Sequence, residues 1–250
     1  MVKILMNEID RLYEIWVYLQ AEPLFWLTLT VGCYLLADFG YRASGLFPLL
    51  NPVAVSILLV SGCLIVFDIN YERYFSGAKF IHFLLGPATV ALAVPIYLNW
   101  RLIAAKRLAI IASMLLGSMF AIVITVVISV LVQLEPIIAK SLLPRSVTAP
   151  IAMGISEVIG GEPSLTAILT IITGIVGAAF GSFLFDLFKI KNMAARGFAF
   201  GLSSHGIGTA RAMTKDKTAG AFAALAMGLS GIATAIILPL LFHVIAGFLN

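Results

Sequence analysis

The stretch Leu202-Ser-Ser-His-Gly-Ile-Gly-Thr-Ala-Arg211 gathers hydroxyls, an imidazole and a guanidinium into ten residues of an otherwise greasy region. Ser203, Ser204 and Thr209 can donate or accept hydrogen bonds, His205 titrates near neutrality, and Arg211 is a permanent cation. Gly206 and Gly208 let a ligand approach backbone that side chains would otherwise block. Hydroxyl caps followed by glycine describe a helix start, whose free N–H groups carry about half a positive charge and attract anions. The chemistry expected of this stretch is therefore the grip of a carboxylate by Ser203, Ser204 and the N–H groups that follow. His205 either donates to that carboxylate, carries a proton, or is a neutral imidazole bonded to a carbonyl. Arg211 either adds attraction for the carboxylate or reaches an interface beside Lys215 and Lys217.

Three other places carry the same kind of start. Asn51-Pro52 is an N-cap residue with proline at the first helical position, Gly86-Pro87-Ala88-Thr89 has proline in the same place, and Thr148-Ala149-Pro150 repeats the signal. The alternative is that these prolines only kink spanning helices. Just before the third start lie Arg145 and Ser146. Arg145 is either a carboxylate attractor or an ordinary surface arginine. Glu157 is either a proton site or a hydrated acid. The candidate ligand set is thus Asn51, Pro87, Ala88, Thr89, Arg145, Ser146, Thr148, Ser203, Ser204, His205, Gly206, Gly208, Thr209 and Arg211, with His205 and Glu157 as proton-coupling candidates. No HExxH, GxSxG, paired acids or Cys/His cluster occurs, and His82, His205 and His243 are too far apart for metal-ligand spacing. Neither an enzyme nor a cofactor or metal site is expected.

The elements that must position these groups follow from composition. The chain is 61% hydrophobic and 11% charged, against roughly 45–50% and about 25% in soluble globules. Too few charges exist to cover a water-facing surface, so the chain is read as a polytopic membrane protein in contact with the lipid bilayer. Apolar runs near 24–40, 52–67, 81–98, 108–134, 164–188, 196–213 and 218–248 give about seven spans or part-spans. With no alternating ten-residue strands, the expected class is all-α. Residues 1–22, with Lys3, Glu8, Asp10, Arg11 and Glu14 among apolar neighbours, form an amphipathic surface segment rather than a signal peptide. Residues 23–250 form one transmembrane domain, with possible halves 23–134 and 135–250. The net charge of +4 sits mostly in loops, which topology explains without a nucleic-acid partner.

Two loops, Arg101/Lys106/Arg107 and Lys189/Lys191/Arg196, are basic, and the positive-inside rule places both in the cytoplasm. The segment 135–163 must then begin and end outside. Its SVTAPIAMGISEVIGGEPS is too apolar for a loop and too short to span, so it either lies flat or re-enters. Re-entrant backbone survives only beside protein or a water-filled cavity. Short similarities (Pro52–Ile57 with Pro150–Ile155, Met114–Ile124 with Met227–Ile237) suggest an internal repeat, a pointer to transporter sites. Glycines crowd the region 154–231, including Gly177-xxx-Gly181 and Gly197-xxx-Gly201, the spacing of closely packed membrane helices.

From about Ser44 onward, YFSGAKFIHFLLGPATVALAVPIY (74–97), SLLPRSVTAPIAMGIS (141–156), GEPSLTAILTIITGIVGA (161–178) and ARGFAFGLSSHGIGTARAM (195–213) closely resemble the LrgB/CidB family of bacterial membrane proteins. The resemblance implies a bacterial inner-membrane location and a small LrgA/CidA-type membrane protein as partner. It also implies one of two functions. One is transport of small monocarboxylates such as glycolate, glycerate or pyruvate, as in the LrgB-like part of the plastid glycolate/glycerate translocator. The other is a holin/antiholin-like role in murein hydrolase regulation and autolysis. A homo-oligomer is expected in either case.

Overall fold

The computed structural model describes residues 22–45, 47, 50–91 and 93–249. The expected amphipathic segment, apart from Glu22, lies outside these residues. Among them every regular element is helical, as the composition requires. The burial pattern is that of a protein solvated by lipid. Ser118, Thr125, Ser129, Ser141, Ser156, Thr166 and Thr170 are buried, while Leu116, Phe120, Leu131, Phe183 and Leu240 are exposed. In a bilayer the polar groups need partners inside the protein, and the apolar groups lose nothing by facing acyl chains.

The chain divides between Ala91 and Leu92 into two compact units. The first contains α1 (Pro23–Ala43), α2 (Pro52–Val66) and α3 (Tyr71–Ala91), with α1 packed on both others. Gly77 permits the α1–α3 approach, because a Cβ there would run into the Pro23 carbonyl and Trp26. The Thr30 and Tyr74 hydroxyls are 3.0 Å apart across the same contact. Asn51 caps α2 as expected, its Oδ1 accepting from the N–H groups of Val53 at 2.9 Å and Ala54 at 3.3 Å. The expected start at Pro87 is not formed. Pro87 lies inside α3, where its missing N–H removes one ladder bond without ending the helix. Ala88 and Thr89 continue that helix, and their side chains fall outside the described residues.

The second unit contains α4 (Ala93–Leu98), α5 (Trp100–Ala105), α6 (Arg107–Leu131), α7 (Pro136–Leu142), α8 (Ala149–Val158), α9 (Pro163–Leu187), α10 (Met193–Lys215) and α11 (Lys217–Leu249). Among the described residues, four helices are long and apolar enough to cross a bilayer: α1, α6, α9 and α11. The expected runs 52–67 and 196–213 appear as a 15-residue helix and a folded-back one, and 81–98 is divided between α3 and α4.

The α10 helix is the main departure from a simple span. Backbone angles leave the helical region at Ser204 (φ −131°, ψ 15°) and His205 (φ 41°, ψ −131°). In a straight helix Phe200 and Gly208 would be about 12 Å apart along the axis. Here a Cβ on Gly208 would lie 2.5 Å from the Phe200 carbonyl oxygen, and Ala212 shares a packed cluster with Phe200, Ala219 and Ala223. The half-helices 193–203 and 206–215 therefore fold back on each other as a hairpin. Gly197 and Gly201 abut Ala219 and Ala223 of α11 in the same chain direction, whereas Met213 and Thr209 meet Gly220 and Met227 in the opposite one. The hairpin thus enters and leaves at one end of the bundle, and α11 then runs away from that end.

The segment 132–162 forms a second hairpin from the other end. Helices α7 and α8 have 7 and 10 residues, about 10 and 15 Å, too short to cross. They are folded into the bundle, with Ala139, Leu143, Val147, Ala152, Ile155 and Ile159 packed on Ile122 and Leu238. Of the two forms that its apolar, short sequence leaves open, lying flat or re-entering, the second is adopted.

Candidate functional site: a cavity between two hairpin tips

The two tips meet at a cavity of about 570 Å³. Arg145 and Ser146 line it from the turn between α7 and α8; Ser203 and Ser204 line it from the break in α10. Gly117, Phe120, Ala121 and Ile124 contribute from the middle of α6, and Ile172, Thr173, Val176 and Gly177 from the middle of α9. Among the described lining residues one is cationic, none is acidic, and four carry hydroxyls.

Arg145 is oriented by α6. Its Nη1 donates to Thr125 Oγ1, which in turn donates to the Ala121 carbonyl at 2.6 Å. A guanidinium has five N–H donors in a planar fork, so this bond aims the group without exhausting it. Thr148 occupies the N-cap position of α8 without a side-chain capping bond. A start of this kind leaves backbone N–H groups without intrahelical partners, and it follows directly on Arg145 and Ser146.

The other tip is built by glycines of α9. The Gly174, Gly177 and Gly181 positions lie against the His205 ring, Ser204 and Phe200 respectively. A Cβ at 174 would come within 2.6 Å of the ring, and one at 177 would overlap the Ser204 hydroxyl. The Ser203 and Ser204 oxygens are 3.2 Å apart, and Ser203 also donates to the Ala199 carbonyl at 2.8 Å. The half-helix 206–215 starts at this tip, as its sequence suggests.

Of the three readings open to His205, the arrangement matches the imidazole bonded to a carbonyl. His205 is buried and does not line the cavity. Its Nε2 lies 2.9 Å from the Thr170 carbonyl; a carbonyl can only accept, so Nε2 carries hydrogen. The left-handed φ of this non-glycine residue costs about 1–3 kcal/mol, which the ring packing on α9 and the Thr170 bond offset. Thr209 donates to the His205 carbonyl at 2.7 Å and so braces the break. Gly208 serves the close approach to Phe200, a packing need instead of the expected ligand access. Arg211 is buried within the half-helix 206–215, Gly206 is exposed, and Glu157 is exposed on α8; none of the three lines the cavity. Asn51, Pro87, Ala88 and Thr89 belong to the other unit.

Sequence reasoning missed Thr125 and Thr173, and read Gly177 only as part of a close-packing pair. The signal was a stripe of small and hydroxyl residues: Ser118, Thr125 and Ser129 on α6; Thr166, Thr170, Gly174, Gly177 and Gly181 on α9. These spacings of three, four or seven share a helix face, and in lipid that face is the interior one.

At the other end of the unit, Lys106 and Asn192 line one cavity, so the two basic loops sit together, as the positive-inside reading requires. Arg196 pairs with Asp186 there at 2.5 Å.

Comparison with known proteins agrees with the motifs. The chain is 36% identical over 217 residues to the uncharacterized protein YwbG of Bacillus subtilis, covering 86% of this chain and 95% of that one. It is 32% identical over 221 residues to YxaC of the same organism, covering 87% and 96%. To a Bacillus subtilis protein named antiholin-like protein LrgB it is 28% identical over 226 residues, covering 90% and 98%. No solved structure matches. The family model described as LrgB-like matches residues 30–244, most of both units, and the chain is a multi-pass membrane protein belonging to the LrgB-like family.

Proposed function

We propose that this chain is a membrane transporter for small monocarboxylates of the glycolate, glycerate or pyruvate type, and that the carboxylate binds between the two hairpin tips. One observation carries the reading: two hairpins entering from opposite ends converge on a cavity with a single cation and no acid among its described lining residues. Opposed, interrupted helices meeting near mid-bundle are the arrangement in which transporters hold anionic groups. One guanidinium favours one carboxylate. Four hydroxyls, from Ser146, Thr173, Ser203 and Ser204, suit a small acid bearing a hydroxyl or keto oxygen. In this reading Arg145 makes the charged contact and the start of α8 supports it, while His205 holds the second tip in shape. The bacterial inner membrane, a homo-oligomer and an LrgA/CidA-type partner complete the proposal.

The names of relatives such as antiholin-like protein LrgB favour a second reading, a holin/antiholin-like pore or regulator of murein hydrolase activity. Purified protein in liposomes separates the two. Saturable uptake of labelled glycolate or pyruvate that unlabelled acid competes away, and that Arg145→Ala sharply weakens, supports the carrier. Unselective dye leakage with no saturable uptake supports the pore.

A further inference from the structure

The central cavity is not the only space along the hairpin 193–215. A second cavity of about 450 Å³ lies toward the basic end, lined by Lys106, Ser113, Asn192, Ala195 and Phe198 among others. The two cavities have two lining residues in common, Ala199 and Leu202. Alanine is too short to close anything. Leu202 is long enough, and it lies against α6 at the one lining position there that has no side chain: a Cβ built on Gly117 would collide with Leu202 Cδ2, with Cγ at 3.5 Å.

We propose that Leu202 is the barrier residue between the central cavity and a vestibule at the basic end, and that the two cavities are successive parts of one translocation path. This rests on the reading of the central cavity as a transport site. The separation is one side chain thick. Leucine seated on a glycine excludes water by contact alone, with no hydrogen bond to break when it withdraws, and apolar constrictions of this kind gate by dewetting. Leu202 stands two residues before the Ser204–His205 break, so any shift of the tip moves the plug with it. The vestibule, like the central cavity, has one cation, Lys106, and no acid among its described lining residues. An anion released past Leu202 therefore meets an attractive surface.

The test uses the full chain in oriented proteoliposomes, with Cys33 and Cys63 replaced by serine and a single cysteine introduced as Thr173→Cys in the central cavity. A membrane-impermeant, anionic thiol reagent is added from the Lys106 side. Leu202→Ala should raise the labelling rate from that side about tenfold or more, as a water-filled gap replaces a dry plug, and leave labelling from the opposite side unchanged. Leu202→Val should give an intermediate increase and covers the case in which the alanine variant does not fold. Equal labelling rates with leucine, valine and alanine at 202 overturn the proposal, as does an increase of the same size from both sides. The readout needs no substrate. Uptake is measured in protein that keeps Thr173: gated labelling without such uptake sinks the transport reading and leaves the path, whereas uptake with labelling indifferent to residue 202 sinks only the barrier.

Discussion

The two hairpins reach the same cavity by different means. The first, α7–α8, is tied to α9 by hydrogen bonds. Glu162 N–H donates to Ser141 Oγ at 2.7 Å, and the Thr166 hydroxyl lies 2.7 Å from Ser156 Oγ and 3.0 Å from the Ser141 carbonyl. The second, α10, is bonded to α9 at its tip only from His205 to Thr170 among the described residues and at its basic end by the Arg196–Asp186 pair, and between them it rests on glycine faces. Hydrogen bonds have narrow geometric optima, while small-residue surfaces hold helices by close packing without directional bonds. The first hairpin is thus fixed by directional bonds and the second held mainly by shape. That the barrier leucine belongs to the second is consistent with this division.

The contrast can be broken most sharply at Gly177. Gly177→Val places atoms where the Ser204 hydroxyl sits, so the tip cannot seat and uptake should be abolished. Gly206→Ala, whose nearest neighbour would be Met227 Sδ at 4.0 Å, should transport normally; loss in both variants would show that the glycine face has no special role. On the fixed side, Arg145→Ala removes a charged hydrogen-bond donor worth about 1.5–3 kcal/mol. Uptake at low substrate should fall roughly 10- to 100-fold, and Arg145→Lys should recover only part because it lacks the planar fork.

Ser141→Ala sharpens the comparison through stability. It orphans the Glu162 N–H, at a cost of about 1–3 kcal/mol, and should lower the thermal midpoint in detergent more than Ser203→Ala does. The smallest effect is expected at His205. His205→Gln retains a donor for the Thr170 carbonyl and should keep both uptake and its pH profile, within about 1 kcal/mol of wild-type stability. A flattened pH profile would instead restore the proton-carrying role first considered for this residue.

How much of this was legible depends on what lipid does to sequence signals. The α7–α8 re-entry could be read because its apolar run is too short to cross yet too greasy for a loop. The α2 cap at Asn51 could be read because capping is local chemistry, and the α8 start because proline suits the first turn of a helix. The start after Ser203-Ser204 could be read from its hydroxyls, but the fold-back of α10 could not, since its 23 residues satisfy the length of a span and nothing local says that the chain reverses there. Pro87 misled for the converse reason: proline removes one bond, and a membrane helix can continue past it. Thr125 and Thr173 were hidden among apolar neighbours because hydropathy reports how greasy a helix is, and only the placement of its few hydroxyls reports which face is inside.

The length of α11 carries a separate consequence. Its 33 residues extend about 50 Å, against a hydrocarbon thickness of about 30 Å. Tilt alone, within the usual range of up to about 40°, does not absorb that excess. Leu241, Val244, Ile245 and Phe248 nevertheless line an apolar recess with Met119 through Leu131 of α6, so the tail lies alongside its neighbour instead of projecting past it. Pro239 falls at the start of this tail, and Lys140 sits 5.9 Å above the Phe242 ring beyond it. The excess length is thus accommodated within the protein, the C-terminal end of α11 resting on α6 and carrying the Lys140–Phe242 contact instead of meeting lipid on every side.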